Sequence, residues 1–111
     1  MPNPKFALKK TKGGQFMFNL HAANGQIILT SERYKSKVSA ANGIKSVKVN
    51  AKKSGSYDRR KSTNGQPYFV LRAANGETIG RSERYSSSSS MSRGIASVKR
   101  SAGKAKVEDQ T

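Results

Sequence analysis

Ala22-Ala23-Asn24-Gly25 followed by Ser31-Glu32-Arg33-Tyr34 returns as Ala73-Ala74-Asn75-Gly76 followed by Ser82-Glu83-Arg84-Tyr85, and both blocks recur at an offset of 51 residues. The register extends without a gap from Lys10/Lys61 through Gly14-Gln15/Gly65-Gln66, Phe18/Phe69, Leu20/Leu71 and Ile28/Ile79 to Gly43-Ile44/Gly94-Ile95 and Ser46-Val47-Lys48/Ser97-Val98-Lys99. Residues 10 to 51 and 61 to 102 are identical at 22 of 42 positions, more than shared composition produces. The chain is therefore a duplicated unit: repeat one over residues 5–51, repeat two over 56–102, and a tail over 103–111.

Within each unit the hydrophobic period changes once. Phe16, Phe18, Leu20 and Ala22 alternate with Met17, Asn19 and His21, the period of a half-buried strand, and Phe69, Leu71 and Ala73 repeat it. Asn24-Gly25 and Asn75-Gly76 offer the positive φ angles of two-residue type I′ hairpins, leading into short strands through Ile27-Ile28-Leu29 and Thr78-Ile79. Gly13-Gly14 and Asn64-Gly65 mark an earlier turn of the same sort, which places first strands over Lys5 to Lys10 and Tyr57 to Lys61. Past Ser36 the spacing becomes helical: Ala40, Gly43, Ile44 and Val47 fall at i, i+3, i+4 and i+7, and Met91, Gly94, Ile95 and Val98 fill the same stripe. Ser36 and Ser87 are the expected N-caps. Glycine in a helix costs roughly 1 kcal/mol against alanine, so Gly43 and Gly94 on the buried stripe predict helices lying close on the sheet.

A β-β-β-α unit of this size buries too little surface to stand alone, so the two units are expected to share one core. The prediction is a single pseudo-twofold α+β domain over residues 1–111, a monomer whose halves imitate a dimer. With 33% hydrophobic residues and no cysteine, the chain has material for one modest core and none for disulfides, thiolate metal sites or a catalytic thiol. The start, Met1-Pro2-Asn3-Pro4-Lys5, leads into no apolar run of the length that export or a membrane span requires. A cytoplasmic protein without a membrane partner is the expectation.

The pattern N-G-Q/E-x-I-x-x-S-E-x-Y-x-S followed by G-I-x-S-V-K resembles the YegP-like family of small, uncharacterised bacterial proteins, over both units and so nearly the whole chain. The resemblance implies tandem β-β-β-α-β motifs forming one antiparallel sheet with exchanged end strands. It makes Tyr57 to Lys61 a strand connecting the halves, and Ala105 to Asp109 a terminal strand added back onto the sheet. Where the first unit has Lys35-Ser36-Lys37-Val38-Ser39, the second has the serine run Ser86 to Ser90, a departure at the start of its helix. The family brings no activity, catalytic residue, cofactor or ligand with it.

The supply of catalytic groups is thin. His21 is the only imidazole and its counterpart is Arg72, so a shared histidine role is excluded and His21 reads as a solvated side chain. Among the acids only Glu32 and Glu83 repeat, and with Tyr34 and Tyr85 they form the candidate groove, brought together by the twofold or set on opposite edges. In the simpler reading each Glu meets a nearby cation or the positive end of a helix, and each Tyr packs over a helix entrance. No second acid repeats beside either Glu, and the glycine turns join strand to strand, not strand to helix as a phosphate cradle requires. The expectation is a non-enzymatic protein with no cofactor and no metal.

Charge is what remains. A net charge of +16 attracts polyanions, and phosphate contacts provide most non-specific nucleic-acid affinity. Among the cations that repeat, Lys9, Lys10, Arg33, Lys48, Arg60, Lys61, Arg84 and Lys99 are the expected nucleic-acid contacts, although most of the 22 Lys and Arg residues have no basic counterpart. The alternative is protein interaction through a sheet edge, with charge serving solubility alone.

Overall fold

Alternation and turn chemistry build the same meander twice. In the computed structural model, which describes residues 3–111, repeat one forms β1 (Lys5–Lys10), β2 (Phe16–His21), β3 (Ile27–Ser31) and α1 (Lys37–Asn50). A 3-10 turn over Ser54–Ser56 leads to β4 (Tyr57–Lys61), β5 (Pro67–Arg72), β6 (Thr78–Arg81) and α2 (Ser88–Ala102), and the chain ends in β7 (Lys106–Asp109). The seven strands make one sheet in the order β4-β5-β6-β3-β2-β1-β7.

All neighbours are antiparallel except the last pair. β7 runs parallel to β1, which makes the sheet mixed and not wholly antiparallel. A parallel neighbour has to be reached by a crossover, and α2 supplies one by carrying the chain from repeat two to the far edge of repeat one. This is the exchanged end strand; α1 makes the matching crossing into β4 at the opposite edge.

The hairpins differ from the expected two-residue turns. Ala22 N–H donates to Gln26 O and Gly25 N–H to Ala22 O, both at 2.9 Å, so three residues form the loop. Only the glycines take positive φ, 87° at Gly25 and at Gly76. Asn24 stays out of the left-handed region because its Oδ1 accepts the Gln26 N–H at 3.0 Å, locking a turn that the following glycine closes.

The halves meet at β3 and β6, where Thr30 faces its own counterpart Arg81 and the pseudo-twofold axis passes through the pair. Beside that axis Leu29 and its counterpart Gly80 compete for one space. A Cβ on Gly80 would lie 2.8 Å from Leu29 Cγ, so one leucine fills a site that two cannot share.

Both helices cover one face of the sheet, and their stripes join Phe6, Leu8, Phe18, Leu20, Phe69 and Leu71 in a single core. Each helix also crosses the seam: α1 packs on β2 but also on β5 and β6, and α2 on β5 but also on β2 and β3. Ser36 and Ser87 cap as expected, each Oγ accepting the N–H three residues on at 3.1 Å. The serine run thus supplies the cap and first turn of α2. The helix glycines have a different neighbour from the one predicted. A Cβ on Gly43 would stand 2.5 Å from the Tyr34 hydroxyl, and one on Gly94 would strike Tyr85 in the same way. The tyrosine rings, stacked on Phe18 and Phe69 at 6.2 and 6.3 Å between centroids, wedge between helix and sheet, and glycine leaves room for them.

Candidate functional site

The repeated Ser-Glu-Arg-Tyr block divides into structural and exposed parts. Ser31 Oγ accepts the Phe18 N–H at 2.8 Å and donates to Glu32 O at 2.7 Å, and Ser82 does the same with Phe69 and Glu83 at 2.9 and 2.7 Å. These buried hydroxyls satisfy a strand N–H and bend the chain toward the helix. The tyrosine that follows is the wedge. The two Glu and the two Arg stand exposed.

The twofold does not bring the two blocks together. Because each helix crosses the seam, it builds two separate grooves, each from one repeat's Glu and Tyr and the other repeat's Ala-Ala-Asn-Gly hairpin. Beside α1, Glu32 and Tyr34 face Asn75 and Glu77 across about 540 Å³. Beside α2, Glu83 and Tyr85 face Asn24 and Gln26 across about 320 Å³. Burial raises the Tyr34 phenol above its ordinary value, and the Glu32 and Glu77 carboxylates push the same way. Tyr85 is raised by burial and by Glu83. Both hydroxyls therefore stay protonated at neutral pH and can only donate or accept hydrogen bonds. Glu32 also approaches Arg81 at 4.0 Å, the nearby cation of the simpler sequence reading.

Matched by the repeat offset, ten lining positions correspond and eight of them are identical; the two that differ both change charge, Gln26 against Glu77 and Arg93 against Asn42, and Thr78 lines the α1 groove alone. The α2 groove continues along the helix past Ser97 to Arg100 and Lys104, in a further space of about 290 Å³ against the Ala22 to Asn24 hairpin. Arg93 and Arg100 on α2 and Lys104 just past its end line one wall of this furrow, whereas their counterparts are Asn42 and Val49 on α1 and Lys53 past its end. The sequence reading left out Lys104, although its counterpart Lys53 is also basic, and passed over Arg93 and Arg100, which have no basic counterpart. Their helical spacing was the available signal.

The repeated cations do not gather in one place. By strand register Lys9 and Arg60 lie on the helix-free face, at opposite ends of the sheet and about 24 Å apart by strand spacing. Lys10 and Lys61 are on the helix side of the same strands, Lys10 with its ammonium 5.7 Å from the centre of the Phe16 ring. Lys48 lies over Phe6 at 5.9 Å and Lys99 over Tyr57 at 5.7 Å, so the repeated helix lysines cover the aromatic residue of an outer strand. Lys99 also donates to Ser54 Oγ at 2.7 Å. Arg33 and Arg84 are exposed ahead of the helices. On the helix-free face Arg60 and Arg72 both bind Asp58, and the Arg60 hydrogen bond is the main cause holding that carboxyl below the ordinary range.

His21 is not merely solvated. Its Nδ1 lies 3.1 Å from Gly25 O, and Arg72 donates to Gly76 O at 2.8 Å. Imidazole and guanidinium thus do one shared task, holding the hairpin glycine, which two unlike residue types had concealed. Among the described residues there is no cluster of three His, Asp or Glu that could hold a metal ion. Nor is any helix among them long and apolar enough to cross a membrane.

Two meanders in one sheet, two helices on one face and a last strand returned to the first repeat define a tandem-repeat α+β protein. The family described as a domain of unknown function, DUF1508, matches residues 12–58 and again 62–109. The chain is 50% identical over 107 residues to a UPF0339 protein of Pseudomonas aeruginosa, covering 96% of this chain and 97% of that one. It is 54% identical over 102 residues to a UPF0339 protein of Bordetella pertussis, covering 92% of each. The solution NMR structure of YegP from E. coli, described as a protein of unknown function, superposes with a TM-score of 0.94 at 43% identity, over 100% of this chain and 96% of that one. The chain belongs to the UPF0339 family, whose function is uncharacterised.

Proposed function

We propose that the protein is a non-enzymatic interaction module that binds an anionic polymer, nucleic acid first among them, along the furrow beside α2. The observation that carries this reading is the row Arg93, Arg100 and Lys104 along one wall, with Ser90, Ser97 and Asn24 as hydrogen-bonding groups and Glu83 as the one carboxylate. Charges in such a row follow a backbone of phosphates without reading bases, so binding is independent of sequence. The remaining positive potential of the chain steers the polymer from a distance. A catalytic role finds little support in the grooves: the tyrosines are protonated and each Glu is exposed, without a nucleophile beside it.

The test gives Arg93 and Arg100 the side chains of their α1 counterparts and removes the Lys104 charge. Arg93→Asn and Arg100→Val with Lys104→Ala should weaken binding of a random-sequence oligonucleotide by more than tenfold at low salt, and flatten the dependence of log K on log salt by roughly 2 to 3 units. Lys9→Ala with Arg60→Ala, on the helix-free face, should change both far less. Equal effects from the two sets, or no binding by the parent protein at low salt, would remove this reading.

A further inference from the structure

The two edges of the sheet are pseudo-twofold equivalents, yet only one is closed. At the β1 edge β7 adds in parallel, with Lys5 beside Lys106 and Leu8 beside Asp109. Gln110 N–H donates to Leu8 O at 2.8 Å, Glu108 pairs with Lys5 at 2.6 Å, and Asp109 pairs with Lys37 at the start of α1. Val107, half exposed, lines a space of about 220 Å³ together with Leu8, Ala41 and Ile44. Repeat one has no strand to do the same at the β4 edge, because the chain leaving α1 turns through Ser54–Ser56 directly into β4. Among the described residues no strand pairs with the outer side of β4.

That open edge is shaped to receive what its counterpart holds. Arg59 faces Phe69 in the register in which Leu8 faces Phe18, so its N–H and C=O point outward as those of Leu8 point toward β7. Where Lys37 meets the carboxylate of Asp109, the matching corner is a space of about 290 Å³ lined by Arg59, Arg60, Lys61, Ser88 and Met91. Two cations, Arg59 and Lys61, are on the helix side there, whereas the Arg60 guanidinium is turned to the other face and held with Arg72 on Asp58. The Arg59 guanidinium rests on Ser92 Oγ at 3.0 Å, so it is anchored to α2 above the empty strand position.

We propose that the outer edge of β4 accepts an acidic, extended peptide segment from a protein partner as an eighth, parallel strand. The partner strand takes the place that β7 takes at the other edge. Its backbone completes the outward groups of Arg59 and Lys61, beyond the 3-10 turn in which Tyr57 N–H already donates to Ser54 O; a short apolar side chain lies toward α2, and carboxylates meet Arg59 and Lys61. Main-chain bonds supply the affinity and the cations select an acidic segment. This surface is distinct from the α2 furrow.

The probe is the free peptide of residues 104–111, Lys-Ala-Lys-Val-Glu-Asp-Gln-Thr, added at millimolar concentration to the full-length, isotope-labelled protein. Strand addition predicts slowed hydrogen exchange at alternate amides: Arg59 and Lys61 gain protection, while Asp58 and Arg60, already bonded to β5, and Tyr57, already bonded to Ser54 O, do not change. Arg59→Pro, which deletes an outward donor without touching the β4–β5 ladder, should weaken binding at least about tenfold with the rest of the spectrum preserved. Arg59→Glu with Lys61→Glu should do the same, as should a peptide whose Glu and Asp are replaced by lysine. The proposal is overturned if the alternate pattern is absent, if the peptide acts instead at β7, if the free protein already pairs through β4 with a second copy, or if an oligonucleotide protects the same amides.

Discussion

Repeat one and repeat two share a frame and differ where the frame meets something outside itself. The buried Ser31 and Ser82, the wedges Tyr34 and Tyr85, and the helix glycines Gly43 and Gly94 are the same in both. Three of the differences bear on what the halves meet: the twofold axis, where Leu29 packs over Gly80; the sheet edges, where Leu8 under β7 is matched by Arg59 in the open; and the furrow walls, where Arg93 and Arg100 match Asn42 and Val49. The axis has room for one side chain, and the two helices lead to different strands: the chain leaving α1 turns into β4, whereas that leaving α2 becomes β7 and closes the β1 edge.

The largest way to break the comparison is to separate the copies. Residues 1 to 52 expressed alone should show no cooperative melt as a monomer, because α1 would lose β5 and β6 beneath it and the fragment would have too little core. A folded monomer at high dilution, followed by circular dichroism and sedimentation, would refute the shared-core account. Next in size is the axis. Gly80→Leu should cost about 3 kcal/mol through overpacking against Leu29, measured by chemical denaturation. Leu29→Gly combined with Gly80→Leu should recover most of that loss, since the exchange only moves the leucine across the twofold.

The edges give smaller effects. Deleting residues 104–111 should lower stability by about 2 kcal/mol, because it uncovers the β1 edge and removes the buried Ala105. It should also make β1 as susceptible to exchange as β4. The smallest effect is that of acid. The Lys5 ammonium holds the Glu108 carboxyl below its ordinary value, and Lys37 does so for Asp109. A depressed folded value contributes stability above the unfolded carboxylate range near about pH 4, and that contribution is lost as pH falls through the folded values. Amides of β7 should therefore lose protection as pH falls below about 4, ahead of those of β2 and β5. Glu108→Gln with Asp109→Asn should abolish the pH dependence. These pairs are exposed, so the change should be confined to β7 and leave the global melt nearly unmoved.

Much of the frame was legible because it is local or periodic. The period-2 run at Phe16 to Ala22 gave β2, the i, i+3, i+4 stripe gave the helices, and Ser36 and Ser87 announced their caps. The three-residue hairpins were missed because Asn24 can satisfy its turn through its side chain without entering the left-handed region. The common role of His21 and Arg72 was missed because a carbonyl acceptor takes either donor. Glu32, Tyr34, Glu83 and Tyr85 were identifiable as a repeated set, but not their division between two grooves. That division arises from helices crossing a seam that no local pattern records.

By itself the amino-acid sequence determined that the chain is two copies of one meander-and-helix unit, since periodicity, glycine placement and capping are properties of neighbouring residues. Only the tertiary structure decided which of the unrepeated charges stand together, which of two equivalent edges is closed, and why one leucine of a pair had to become glycine. Those are contacts between residues some fifty positions apart across the axis, where excluded volume and the different strands that follow the two helices make two equal halves unequal.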